Sequence, residues 1–293
     1  MVLDGHIHIF EGQPDPLGLA RRLGEVGIDG SVLTSMAPSS FLFVQPHSAV
    51  ERLENLFAWC GTDGRFFPFF WIDPLEDDAL DQVRLAVRRG VRGFKAIHNR
   101  CFPGDERALA VYRAIAAAGK PILFHSGILW DGQATSKYNR PAEFEALLEV
   151  PRLRFALAHI SWPWTDECIA VYGKFLSARQ LRQGLDVEMF IDLTPGTPVG
   201  YRREVLTRLF TTGYDVGNNV LFGSDSHAAD ASFQWARQWI DRDRSIYADL
   251  GLDAATIDGI FGGNLRRFVG LAGPTGCPQP VPPTENTGPE RRS

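Results

Sequence analysis

Paired cysteines, basic excess and long apolar runs are all missing from this chain, and each absence removes a class of protein. The four cysteines, Cys60, Cys101, Cys168 and Cys277, are scattered and form no C-x-x-C pair. That spacing argues against a disulfide framework and predicts a reducing, cytoplasmic setting. Lys+Arg total 30 against 35 Asp+Glu, giving a net charge of -5 and a pI near 5.8. Such a balance leaves no electrostatic footprint for nucleic acid or an anionic membrane. No apolar run approaches the ~20 residues of a membrane-spanning helix. The N-terminus enters an apolar strand directly, without a basic segment and long hydrophobic stretch, so no leader is expected. No G-x-G-x-x-G follows that strand, which weakens a dinucleotide-binding reading. Repeats beyond a βα unit are not visible.

What remains is an ordinary globular composition, 44% hydrophobic and 22% charged over 293 residues. Its apolar runs alternate between strand-like and helix-like spacing. Strands are predicted at 2–10, 28–36, 66–72, 91–97, 121–124, 153–158, 187–193 and 220–223. Helices are predicted at 16–26, 48–59 (opened by the capping box Ser48-x-x-Glu51), 76–89, 105–119, 142–148, 166–183, 202–211, 232–249 and 254–269. Alternating β and α elements predict a parallel sheet, and eight units in ~270 residues fit a distorted (β/α)₈ TIM barrel. From Gly273 the chain turns to Pro, Gly, Thr and charge with no apolar period. The reading is therefore one catalytic domain, 1–272, and a flexible tail, 273–293. Gly262-Gly263-Asn264 reads as a helix start with Asn264 as its cap.

The ionisable residues are not scattered over this pattern. The first strand carries Asp4-Gly5-His6-Ile7-His8, and residues two apart in a strand share a face, so His6 and His8 converge. Lys95 and His98 stand at the end of the fourth strand, His125 ends the fifth and His159 the sixth. Asp192 ends the seventh, and Asp225 and His227 follow the eighth. Six of the seven histidines thus lie at or just beyond C-terminal strand ends; His47 alone does not. In a barrel those ends form the active-site face.

His6, His8 and His125 supply neutral nitrogens and Asp225 a hard anionic oxygen. An N₃O set with an open position suits one catalytic Zn²⁺, with Mn²⁺ or Fe²⁺ as alternatives. A metal-bound water of pKa ~7 then provides hydroxide at neutral pH. His159 serves as general acid/base, polarises a substrate carbonyl, or adds a fifth ligand; the sequence leaves these open. Asp4, on the face of the histidines, is expected to orient one of them through its second ring nitrogen. Lys95, one of four lysines, is read as an anchor for a substrate carboxylate or a structural ion pair, ahead of a carbamylated bridge between two metals. His98 and His227 are candidates for substrate contact. Trp130, Trp162 and Trp164 are candidates for the wall of a pocket.

Taken together these residues resemble the amidohydrolase superfamily, specifically the amidohydrolase-2 group of TIM-barrel metal-dependent hydrolases and decarboxylases. The resemblance covers about 1–270. It runs through D-x-H-x-H at Asp4, His6 and His8, the G-h-K of Gly93 to Lys95 and the P-h-h-h-H-x-G of Pro121 to Gly127. It continues with His159, G-S-D at Gly223 to Asp225 and G-G-N at Gly262 to Asn264. It implies a divalent metal on His6, His8, His125 and Asp225, His159 as acid/base, and Asp225 as both ligand and proton acceptor for the attacking water. It also implies a small-molecule substrate and, more weakly, a homodimer. The group's frequent proline two residues after the aspartate is His227 here, so a particular substrate does not transfer.

The leading expectation is a hydrolase of a small carboxylated or cyclic amide, ester or lactone. A non-oxidative decarboxylase on the same site is the alternative, with Phe102, Trp130 and Trp162 suggesting a flat pocket. A metal-bound binding protein on a retired barrel and a phosphoesterase rank lower.

Overall fold

A computed structural model describes residues 1–10, 12–41 and 45–271. The expected tail, 273–293, lies wholly outside them. Nine parallel strands form one sheet: β1 Leu3–His8, β2 Gly30–Thr34, β3 Phe66–Trp71, β4 Gly93–Ala96, β5 Ile122–Phe124, β6 Arg154–Leu157, β7 Glu188–Asp192, β8 Val220–Leu221 and β9 Ser226–His227. Their order is β8-β7-β6-β5-β4-β3-β2-β1-β9. β8 pairs with β7, and β9, four residues further on, pairs with β1. Between them Gly5 N donates to Phe222 O at 2.8 Å and Asp225 N to His6 O at 3.0 Å. One stretch of chain therefore borders both ends of the sheet and closes the barrel. The sequence predicts only the eighth strand, at 220–223; β9 is an additional strand, set off from it by the left-handed turn at Asp225 (φ 59°).

The helices α1 Pro16–Glu25, α2 Ala49–Cys60, α3 Ala79–Arg89, α4 Glu106–Ala117, α5 Thr165–Leu181, α6 Arg202–Thr211, α7 Gln234–Asp249, α8 Ala254–Asp258 and α9 Asn264–Phe268 follow the expected alternation. The Ser48–Glu51 capping box forms at the start of α2. Two details depart from the sequence reading. Pro141–Glu149 is a 3₁₀ helix. Its buried Phe144 and Leu147, three apart, stack on one face at three residues per turn, and Pro151 follows at once. Asn264 is not a cap: it has helical dihedrals after a π turn at Gly259–Gly263. Its amide donates to the carbonyls of Gly217 and Val220, both at 2.8 Å, and ties α9 to β8.

Strand alternation sorts the interior into two layers. Val32, Phe67, Phe69, Leu123, Phe190 and Leu221 point inward and form the lower layer, closed by Leu265 and Phe268 of α9 and by Val269 just beyond it. The next inward positions, Trp71, Lys95, His125 and Asp192, stand above it. The outward residues, such as Phe70, Phe94, Phe124 and Ile191, pack against the surrounding helices. The ionisable layer thus rests on an apolar floor. Among the described residues no helix is long and apolar enough to cross a membrane.

Candidate metal centre

β1 alone breaks the alternation, and the break matters. Leu3 belongs to the lower apolar layer, so regular alternation would turn His6, three positions later, outward. The β1–β2 register instead shifts between Asp4 and Ile7, a bulge that reverses the parity. Asp4 builds it: its Oδ1 accepts from His6 N and Ser224 N, both at 3.0 Å. Burial pushes the Asp4 carboxyl up to about 7. The bulge separates Asp4 from the face of the histidines, which corrects its expected role: Asp4 shapes the backbone and does not orient a ring.

Asp192 does that work. His6 Nδ1 donates to Asp192 Oδ2 at 2.9 Å, with Thr194 Oγ1 at 3.0 Å. Thr194 also binds Asp192 through its own backbone N and its hydroxyl. With its proton on Nδ1, His6 presents a bare Nε2 lone pair inward. Burial, then the Lys95 charge, hold His6 down at about 3, so it is neutral at ordinary pH. Its Nε2 lies 3.1 Å from His8 Nε2, and Asp225 Oδ1 lies 3.3 Å from His8 Nε2 and 3.7 Å from His6 Nε2. Burial lowers His8 as well. Burial alone would raise Asp225, but the bond from His8 and the neighbouring imidazoles outweigh it and keep it a carboxylate.

One ligand atom from each of His6, His8 and Asp225 thus lies within 4.8 Å of the others. Lys95, buried, points Nζ at His6 Nε2 from 3.0 Å. The His6 lone pair, His8 Nε2 and a carboxylate face one point with an ammonium aimed at them, a donor set that fits a cation once the His8 proton sits on Nδ1, which has no hydrogen-bond partner. Burial lowers Lys95 to about 8, against the opposing pull of Asp225 and Asp192.

A cavity of about 420 Å³ opens above this cluster. His125 and His159 also line it, with ring centroids 4.9 Å apart and His159 5.5 Å from His6. His125 stands outside the close trio, and its Nε2 donates to Ile128 O at 3.2 Å. His159 Nδ1 is buried without a hydrogen-bond partner. Both rings are held neutral, chiefly by burial. Trp130 and Trp162 stand on the wall as expected, joined by Phe10, Phe41, Trp71 and Leu129. Trp71 was within reach of the sequence, since it continues the inward series of Phe67 and Phe69.

Two candidates for substrate contact are corrected. His98 is buried behind β5, stacked on Phe124, with its Nε2 2.6 Å from Tyr112 OH. It follows the inward Ile97, so alternation turns it to the helices. His227 lies outside the cavity, half exposed, edge-on to Phe10 at 4.5 Å between centroids. Phe102 packs on Tyr138 and Trp164 under Arg140, both away from the cavity lining. Cys60, Cys101 and Cys168 are free buried thiols.

A barrel with its ionisable residues gathered over one end of the strands has the enzyme arrangement of this fold. The chain belongs to the amidohydrolase family, whose Amidohydro_2 model matches residues 4–271. No curated protein matches it. Among solved structures, 2,6-dihydroxybenzoate decarboxylase from Rhizobium is 13% identical with a TM-score of 0.62, over 93% of this chain and 98% of that one. A zinc-bound amidohydrolase from Burkholderia multivorans is 14% identical at TM-score 0.61, covering 93% and 100%. A probable 2-pyrone-4,6-dicarboxylic acid hydrolase from Acinetobacter baumannii is 12% identical at TM-score 0.57, covering 92% and 99%. These likenesses concern the fold.

Proposed function

We propose that the chain is a metal-dependent hydrolase of a small carboxylated or cyclic amide, ester or lactone. The observation that carries the reading is the convergence of the His6 and His8 Nε2 atoms with Asp225 Oδ1, with the His6 tautomer fixed by Asp192. These three residues would hold one divalent cation, with His125 completing an N₃O set through Nδ1, since its Nε2 is given to Ile128 O. Zn²⁺ suits that set, with Mn²⁺ or Fe²⁺ as alternatives. When bound, the cation supplies Lewis acidity, polarising a carbonyl and lowering the pKa of water.

The chain's own groups supply the rest. Asp225, ionised beside the cluster, accepts a proton from the attacking water. His159, its ring 5.5 Å from that of His6, can take up this proton and pass it on to the leaving group. Lys95 offers a positive charge to a substrate carboxylate or developing oxyanion. The aromatic walls bind the body of the substrate and exclude water.

A carboxy-lyase on the same site is the second reading, favoured by the flat aromatic surfaces of Trp71, Phe41 and Trp162 around the cavity. Metal content per chain, measured on wild type and His8→Ala, comes first. About one divalent ion per chain, lost in the variant, is the expected result, and metal-free wild type would overturn both readings. A panel of amides, esters, lactones and aromatic acids then separates them: hydrolysis consumes water, whereas the lyase releases CO₂ without it.

A further inference from the structure

His159 should not face the cavity. Ala156 of β6 and Ala158 just beyond it point into the barrel and Leu157 outward, so His159 would fall on the helix side. It faces inward because the backbone turns left-handed at three successive non-glycine residues, His159 (φ 61°), Ile160 (φ 42°) and Ser161 (φ 57°). L-residues adopt this conformation only when their surroundings impose it.

What imposes it comes from the end of β5. Ser126, fully buried, donates its hydroxyl to Ala158 O at 2.7 Å, the carbonyl preceding the turn. Its one proton is then committed, so at the 2.7 Å contact between the two hydroxyls Ser161 donates to Ser126, which seizes the end of the turn. Ile128 N donates to Trp162 O at 3.0 Å. Gly127 (φ 97°) makes the approach feasible, since a Cβ there would lie 2.3 Å from Trp162 O. Ser126 follows His125 directly in sequence, so one short segment sets both imidazoles on this side of the cavity.

We propose that Ser126 is a positioning residue: by bonding both ends of the left-handed turn it aims His159 at the reacting centre. The role of His159 rests on the hydrolase reading above; the aiming of its ring does not. Ser126 borders the cavity, but both hydrogen bonds of its hydroxyl go to the turn, to Ala158 O and Ser161 Oγ.

The test uses the full-length, zinc-loaded protein and compares wild type with Ser126→Ala and Ser161→Ala. Metal content, KM, kcat and the ¹³C-labelled histidine ring resonances are measured, with His159 assigned from its absence in His159→Gln. For Ser126→Ala we expect unchanged metal content, KM within about two-fold, and kcat lower by ~10²-fold, the scale of a misplaced catalytic group. The His159 resonance should move while those of His6 and His8 stay. Ser161→Ala, which removes one of the two bonds, should show the same pattern at smaller size and carries the test where Ser126→Ala does not fold. An unmoved His159 resonance with unchanged kcat overturns the proposal, as does a loss of kcat that merely follows loss of metal. If wild type turns over nothing on the substrate panel, the hydrolase reading fails, and the His159 resonance still decides the positioning.

Discussion

Single residues show how much a barrel interior discriminates between identical side-chain types. Six histidines end strands, yet four enter the cavity, one is core and one is at the outer rim. His98 is the core case. Burial lowers it to about 4 from an ordinary 6.5. As pH falls below 6.5 the unfolded chain takes up this proton first, so stability is fully present above 6.5 and is lost on the way down to 4. The loss is ~3 kcal/mol by linkage. Replacing the bonded pair together, His98→Phe with Tyr112→Phe, keeps the stack on Phe124 and leaves no orphaned hydroxyl. Denaturant unfolding from pH 7 to 4 should give this variant a shallower pH dependence than wild type, by about one proton. Parallel curves would show that His98 is charged or exposed in the folded protein.

At the scale of elements, the site depends on irregular strand ends. A bulge turns His6 inward, a left-handed turn does so for His159, and a separate left-handed conformation at Asp225 places that residue where β8 gives way to β9. Each left-handed non-glycine residue costs roughly 1–2 kcal/mol, a cost borne by the surrounding hydrogen bonds. Gly223 shows the tolerance involved. A Cβ there would lie 2.3 Å from Thr194 Oγ1 and 2.9 Å from His6 Cβ, pressing on the group that fixes the His6 tautomer. Gly223→Ala should destabilise the fold by about 1–3 kcal/mol, as overpacking does. It should also weaken metal binding, read as a lower thermal midpoint and a lower metal content. A variant with normal metal content would show that the His6–Asp192–Thr194 group has room to relax.

The whole molecule places polar chemistry on an apolar plug. Phe268, from the last helix, packs on Phe69 and Phe190 at centroid distances of 6.2 and 5.0 Å and seals the barrel floor. Truncation there leaves a void among side chains belonging to several strands. Phe268→Ala should therefore cost ~3–5 kcal/mol in denaturant unfolding. Metal content of the folded fraction should be unaffected, since the floor and the ligand layer share no side chain. A cost under ~1 kcal/mol would mean that α9 contributes little to closure.

Much of this was legible in the sequence, because strand and helix periodicities are local and eight of them in alternation admit few folds. The inward parity of Lys95 and His125, and the shared face of His6 and His8, followed from that periodicity and the ends of the apolar runs. Parity failed wherever the backbone departs from a regular strand. Asp4 was placed on the wrong face because a bulge is set by register with the neighbouring strand, which the local pattern does not encode. His98 turned outward because one residue separates a cavity position from a core position. Asp192 was visible as a strand end, but its partner His6 lies 186 residues away. Barrel closure between β1 and β9 brings those residues together, and long-range packing decides which donor each ring nitrogen meets. The sequence by itself determined the alternating barrel and the concentration of ionisable residues at one end of its strands. Tertiary structure alone decided which of them face one another, because bulges, left-handed turns and second partners are fixed by contacts between strands rather than within them.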